Sequence, residues 1–339
     1  MAENATETIV SSLRENATQL YPRRGELRNI RIVGHTPKSH HFIYDLVADF
    51  GNGTERIAAK VYRSNKSGAH HARQQAHAEF KNLESVYAKF SQNGLPGVPR
   101  PLGNFSELGA VVTEKIQGLP LQSMIMKAAL LPGYDDNTLL RNAAASAGEW
   151  LRNFHELTAD ADQIFDSQQL LADLETLCVS CRGEGLDHDA IQTILTGARN
   201  LLPKTKRSVP SSAVLNDFTP LNIVVTEEGV GVSDYGKMAL RGASFNDAAA
   251  FLASVEALEK YPFCNRNITQ CVQDSFIHAY GVGPADQALL RILKMRTLLS
   301  MFAQGRGIKE SAMRKKVMWA TVMKRFIQQA ANRSLAPAA

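Results

Sequence analysis

Cysteine is scarce in this chain: four among 339 residues, at positions 178, 181, 264 and 271. Cys178 and Cys181 have CxxC spacing, but a zinc site needs a second tight pair, and six residues separate Cys264 from Cys271. Plain thiols in a reducing compartment are expected, with neither metal nor disulfide. Long apolar runs are missing too; none reaches the ~18 residues needed to span a bilayer. The opening MAENATETIV has an acid where a signal peptide is basic and no apolar h-region, so a cytoplasmic protein is expected. Aromatic residues are only 7% and do not interleave with basic ones, which argues against a nucleic-acid partner. Acids nearly vanish from Arg291 onward: segment 291–339 has eleven Lys and Arg against Glu310 alone, although the whole chain is only +5.

What is present is an ordinary globular composition, 44% hydrophobic and 21% charged, at a length that suits about two domains. Residues 5–18 read as a short amphipathic helix. Three strands follow, at 28–36, 40–50 and 55–63, with a Gly51-Asn52-Gly53 turn between the last two. The third strand places Lys60 inside an apolar run, a position otherwise typical of a surface lysine on an edge strand. Residues 69–91 carry Ala76, Phe80, Leu83, Val86, Tyr87 and Phe90 at three- and four-residue steps, a helix signal. Glu79 and Glu84 both lie on it, and periodicity alone does not separate them. After the turn-rich GLPGVPRP, strands are expected in PLGNF and GAVVTEKI. Helices are expected at 138–157, as a pair within 165–203, and at 268–281, 284–304 and 310–332.

The most informative stretch is Leu215–Gly236, LNDFTPLNIVVTEEGVGVSDYG. Asp217 and Asn222 are five apart; a hairpin (Ile223 to Val225, Val230 to Val232) then leads to Asp234-Tyr235-Gly236. A carboxylate to take a hydroxyl proton, with an amide and a second carboxylate to hold Mg²⁺ against phosphates, is the equipment of phosphoryl transfer. The order D-x4-N, hairpin, D-[FY]-G resembles the core of the kinase-like phosphotransferases. The FTPLN loop resembles the aminoglycoside/choline phosphotransferase branch in particular, and the likeness covers residues 28–255.

That resemblance implies an α+β, two-lobed protein-kinase-like fold: a small antiparallel β-sheet lobe at 1–116 and a larger, mainly helical lobe at 117–339, with ATP or GTP between them. It implies Asp217 as catalytic base, Asn222 and Asp234 as Mg²⁺ ligands, and Lys60 on the α- and β-phosphates with Glu79 as its partner. Backbone groups near Glu114 and Ile116 would meet the adenine edge, Thr113 would line the pocket behind it, and Ser39 in the 34–41 loop would help to cradle phosphate. That loop has one glycine and lacks G-x-G-x-x-G. His155 reads as a core or capping residue, and Asp247 as a brace for the catalytic loop or as a helix N-cap.

Leu215 stands where such loops usually have histidine, so one support is missing. A pseudokinase-like nucleotide-binding regulatory or scaffold protein is therefore the alternative. No Ala-Pro-Glu follows Asp234-Tyr235-Gly236, and the short interval to Asp247 leaves no room for a protein-docking loop. The expected acceptor is a hydroxyl-bearing small molecule: a sugar, a glycan intermediate or an aminoglycoside-like metabolite. The acids Asp173, Glu175, Glu184, Asp187 and Asp189 suit either an amine-bearing substrate or a solvated helix face. The basic segment 291–339 either packs its apolar side on its own domain or meets an anionic membrane surface or an acidic partner.

Overall fold

Alternating apolar residues along the first third of the chain fold as three long antiparallel strands: β1 (Leu27–Pro37), β2 (His41–Phe50) and β3 (Gly53–Tyr62). The β2–β3 register runs unbroken from His41↔Tyr62 to Phe50↔Gly53. Gly53 turns the chain at φ 148°, a conformation that a side chain would strain. Strands β4 (Pro101–Phe105) and β5 (Ala110–Glu114) complete a five-stranded sheet in the order β1-β2-β3-β5-β4. Helix α1 (Ala2–Glu15) puts Ile9 and Leu13 into one cluster with Ile30, Leu46, Ile57 and Val112, and a four-residue helix α2 (Ala17–Leu20) follows it. Each large side chain so buried contributes about 1.5–3 kcal/mol. Helix α3 (Gly68–Gln92) buries Ala76, Leu83, Val86 and Phe90, the stripe read from the sequence.

The computed structural model describes residues 2–64, 68–131, 137–202, 207–261, 263–306 and 319–335. The chain divides into two units: Met1–Leu119 with Val224–Met238, and Pro120–Ile223 with Ala239–Ala339. The first unit is thus discontinuous: the hairpin of β9 (Ile223–Thr226) and β10 (Gly229–Val232) returns to it late in the sequence. Val232 N–H donates to the Gly97 carbonyl at 2.9 Å, which ties the hairpin to the turn before β4. Gly118, just before the two-residue strand β6 (Leu119–Pro120), has φ 154°, and a Cβ there would lie 2.0 Å from the Val225 carbonyl oxygen. Gly118→Ala is therefore expected to displace the hairpin and lower Tm by several degrees, on the order of 2 kcal/mol of combined clash and backbone strain. A thermal scan that leaves Tm unchanged would contradict this.

The second unit is mainly helical. It holds α4 (Leu121–Leu130), α5 (Thr138–Leu157), α6 (Ser167–Gly183), α7 (His188–Leu201), α8 (Phe245–Glu256), α9 (Arg266–Tyr280), α10 (Pro284–Arg306) and α11 (Lys324–Leu335). It also holds a three-stranded sheet that the sequence reading missed: β7 (Asp160–Phe165), β8 (Arg207–Val214) and β11 (Ala239–Ala243), in the order β11-β8-β7. β7 is mostly exposed and offers no apolar run, while Pro210 interrupts the strand pattern of β8. Cys178 and Cys181 are buried thiols on α6, and burial pushes them up to about 11 and about 12. Among the described residues no helix is long and apolar enough to cross a membrane.

The helix expected at 310–332 is described only from Trp319: a π-helical turn Trp319–Met323 leads into α11, and residues 310–318 lie outside the described residues. Met323, Phe326, Ile327, Ala330 and Ala331 are buried. Part of the basic charge also turns inward. Lys294 pairs with Glu256, Lys324 with Asp187 at 2.7 Å, and Arg333 with both Glu256 (3.1 Å) and Glu259 (2.7 Å). Glu256 and Glu259 are 4% and 6% exposed, so the Lys294 and Arg333 pairs neutralise carboxylates whose burial would otherwise be costly, while Lys324–Asp187 is a surface pair.

Candidate active site

The pairing of β3 with β2 and β5 puts Lys60 at the centre of the sheet, where its neighbours decide its partners. Its ammonium reaches Glu79 Oε1 on α3 at 2.9 Å and Asp234 Oδ1 at 2.8 Å. Glu79 is 3% exposed, whereas Glu84 is exposed, so the structure places Glu79 alone of the two at Lys60. Two further donors hold the Glu79 carboxylate: the Tyr62 hydroxyl to Oε2 at 2.6 Å and the Tyr235 N–H to Oε1 at 3.3 Å. Asp234 Oδ1 also accepts the Gly236 N–H at 2.9 Å. One helical turn beyond Glu79, Asn82 donates to the Tyr235 and Met238 carbonyls, at 3.3 and 3.2 Å. Helix α3 thus grips the Asp-Tyr-Gly turn at two points. The sequence reading did not find Tyr62 or Asn82; each lies two or three residues from a site residue on the same element, and that was the available signal.

Electrostatics keep this cluster charged in a defined way. Burial works against the Lys60 ammonium, but Glu79 and Asp234 outweigh it and hold its pKa above the ordinary lysine value. Burial also opposes ionisation of Asp234, yet the Lys60 charge prevails and lowers its pKa. For Glu79, burial dominates over Lys60 and raises its pKa. Burial and then the Lys60 charge bring His41, paired across the strands with Tyr62, down to about 4, so it is neutral at physiological pH.

The other nucleotide-site expectations fall in the same unit. Ser39 is exposed in the link between β1 and β2. Thr113 and Glu114 end β5, and Ile116 follows. The Glu114 N–H is committed to the Arg100 carbonyl and the Lys115 N–H to the Arg56 carbonyl, both at 2.9 Å. The Glu114 carboxylate accepts from Arg100 at 2.7 Å. The Ile116 side chain packs so closely on the hairpin that a Cβ at Gly231 would come within 2.8 Å of it.

Asp217 and Asn222 belong to the second unit, on the loop after β8. The loop turns at Asn216, φ 58°, a left-handed conformation that asparagine tolerates. Asp247, fully buried in the first turn of α8, accepts both the Leu215 N–H (2.7 Å) and the Asn216 N–H (2.8 Å). His155 at the end of α5 lies 3.3 Å from the same carboxylate and 2.9 Å from the Tyr280 hydroxyl. It is a buried link in the loop's support. Leu215 is itself buried, so its side chain fills apolar space while its backbone amide makes the bracing hydrogen bond.

Behind the loop, Phe218 is fully buried and stacks on Trp150 at 5.9 Å, with Phe154, Phe251 and Phe276 completing the aromatic cluster. The Asn222 amide nitrogen donates to the Asp217 carbonyl at 3.0 Å, which orients its oxygen the other way. In the second unit Asn222 offers an amide oxygen; in the first, Asp234 offers a carboxylate that Lys60 keeps ionised, and Lys60 itself offers a positive charge. Taken by their chemistry, such oxygens are donors of the kind Mg²⁺ selects, and an ammonium suits phosphate.

The model of the phosphotransferase enzyme family matches residues 52–240. An amicoumacin kinase solved with AMP-PNP, Ca²⁺ and Ami has a TM-score of 0.52 at 13% identity, over 95% of this chain and 94% of that one. The macrolide 2′-phosphotransferase MphH of Brachybacterium faecium has 0.51 at 12% identity, over 97% and 99%. The choline kinase LicA of Streptococcus pneumoniae has 0.50 at 12% identity, over 95% and 99%. No curated protein matches the sequence. At these identities the solved structures establish the two-lobed kinase-like fold, while the family match spans more than half of the chain. The chain belongs to the phosphotransferase enzyme family.

Proposed function

We propose an ATP- and Mg²⁺-dependent kinase acting on a hydroxyl of a sugar or a glycan intermediate. The observation that carries it is the bonding of Lys60 to both Glu79 (2.9 Å) and Asp234 (2.8 Å), which aligns a phosphate-binding cation with a metal-binding carboxylate. Asp217 accepts the acceptor's proton. Asn222 and Asp234 hold Mg²⁺, which supplies charge neutralisation on the phosphates when bound. Lys60, oriented by Glu79, stabilises negative charge on those phosphates. At the end of β5, the Glu114 carbonyl and the Ile116 amide meet the base, beside Thr113, because the Glu114 and Lys115 amides are already committed. Backbone recognition of this kind suits ATP and GTP alike. Ser39 lies in the link that covers the phosphates.

Two observations support the finer points. The acids that would receive an amine-bearing substrate are partly committed: Glu175 pairs with Arg199, Asp187 with Lys324, and Asp173 accepts from Gln169. This favours a neutral, hydroxyl-rich acceptor over an aminoglycoside. The two amide hydrogen bonds to Asp247 favour turnover over a pseudokinase, since the loop is held without a histidine at 215.

Calorimetry with ATP, with and without Mg²⁺, on wild type and Asp234→Asn is the first test, followed by phosphate transfer to a panel of neutral sugars, amino sugars and aminoglycosides. Mg²⁺-dependent binding is expected, weakened by at least about tenfold in the variant. Tight Mg²⁺-independent binding without transfer to any acceptor would instead assign a nucleotide-binding regulatory role.

A further inference from the structure

Within the first unit a cavity of about 480 Å³ has neither Lys60 nor Asp234 on its lining. It is bounded by α1, the ends of β2 and β3, the first turns of α3, and the 3₁₀ turn Ser106–Leu108. Its walls are mostly apolar, formed by Val61, Ala72, Leu108 and the rings of Phe42 and Tyr62, with Thr8, Ser64 and Glu107 also on its lining. Two guanidinium groups border it, Arg63 and Arg73. Arg63 lies flat over Phe42, 4.0 Å from the ring centroid, and its Nε is buried without a hydrogen-bond partner. A buried donor left unused is destabilising, and an incoming acceptor would satisfy it. Arg73 is held only loosely, 3.8 Å from Glu107, and both of these side chains are largely exposed.

From this geometry we infer that the cavity is a binding site for a small organic anion: an aromatic or aliphatic body carrying one carboxylate. The apolar walls take the body and Arg63 takes the oxyanion, in the pattern of most small-molecule sites, where a few polar groups orient an otherwise apolar ligand. The volume suits a ligand of one or two rings. The site is also wired to the ion pair. Tyr62 forms part of the wall, and its hydroxyl is the 2.6 Å donor to Glu79 Oε2. Ala69, Ala72 and Arg73 are on the helix that carries Glu79. A bound anion would brace Tyr62 and the start of α3, and so favour the arrangement in which Glu79 holds Lys60. This coupling rests on the kinase reading above; the binding itself does not.

The test uses 2-naphthoate as probe and 2-naphthylmethanol as its neutral counterpart, titrated calorimetrically into the full-length protein. Two variants accompany the wild type. Arg63→Gln removes the charge, and Ala69→Trp fills the cavity from an exposed helix position. Saturable naphthoate binding is expected, weakened at least about tenfold by either variant and by loss of the carboxylate. Absence of saturable binding to folded wild-type protein, or binding that survives both variants, would overturn the site. Equal binding of the alcohol would overturn the anion assignment. Naphthoate is also expected to tighten ATP binding by the same factor by which ATP tightens naphthoate binding. Naphthoate binding with no effect on ATP affinity would overturn the coupling. If ATP fails to bind at all, the proposed function fails, and the naphthoate titration still decides the site by itself.

Discussion

Asp217→Asn is expected to lower the turnover of the best acceptor by about 10²–10⁴, the usual contribution of a positioned general base, while leaving the ATP dissociation constant unchanged. The substitution is nearly isosteric, and the loop has supports that do not involve the Asp217 carboxylate. The shape comes from the left-handed turn at Asn216, the two amide hydrogen bonds to Asp247, and the burial of Phe218 against Trp150. The bond between Asn222 and Asp217 uses the Asp217 backbone carbonyl, which asparagine retains. What is lost is an acceptor for the hydroxyl proton. The reading is clean if kcat falls and the acceptor KM changes little, because the proton is transferred in the transition state and not in the ground state. A kcat within about threefold of wild type would remove Asp217 from the role of base.

Some of this was legible in the sequence for identifiable reasons. The strands of the first unit alternate, and α3 and α5 have apolar stripes that only a helix makes continuous, so the elements carrying Lys60, Glu79 and His155 fall where periodicity puts them. The partner of Lys60 was legible only through the family resemblance, which points to Glu79, and not through periodicity. Glu79 and Glu84 are both compatible with the helix, and only the placement of α3 against β3 leaves one of them 3% exposed and the other in solvent. The sheet of β7, β8 and β11 was illegible because the edge strand β7 is mostly solvated and the central strand β8 carries a proline, so neither has a local strand signal; tertiary pairing forms them. The significance of Leu215 also changed. As a letter in the sequence it was a missing histidine; the structure adds that the backbone amide at this position braces the loop on Asp247, a bond that any residue but proline supplies. His155, sixty positions earlier, is the imidazole that does meet the bracing carboxylate.

Lys60→Met should have the second large effect, and its signature is in the pH dependence of stability. Methionine keeps the length and the apolar stem but removes the charge between Glu79 and Asp234. Removing one member of a buried ionic cluster typically costs about 3 kcal/mol, because the remaining charges stay buried without compensation. In the wild type Asp234 is held below its ordinary pKa because Lys60 overcomes burial, and Glu79 sits above its ordinary value because burial prevails. In the variant, burial of both carboxylates is opposed only by the weaker effect of their remaining donors, Tyr62 on Glu79 and Gly236 on Asp234, so both folded-state pKa values are expected to rise above their unfolded values. A carboxyl group with a raised folded-state pKa binds its proton more tightly in the native protein, so its stabilising contribution is present at low pH and is lost as pH rises through the folded-state pKa. Wild-type stability has the opposite sign at Asp234, whose contribution is lost as pH falls through its depressed pKa. Urea unfolding of both proteins between about pH 5 and pH 8 is the measurement, with the deficit of Lys60→Met expected to widen steadily toward the alkaline end. A deficit that is constant with pH would mean that Lys60 contributes packing and not charge at this site, and the electrostatic account of the cluster would fail together with the nucleotide role built on it.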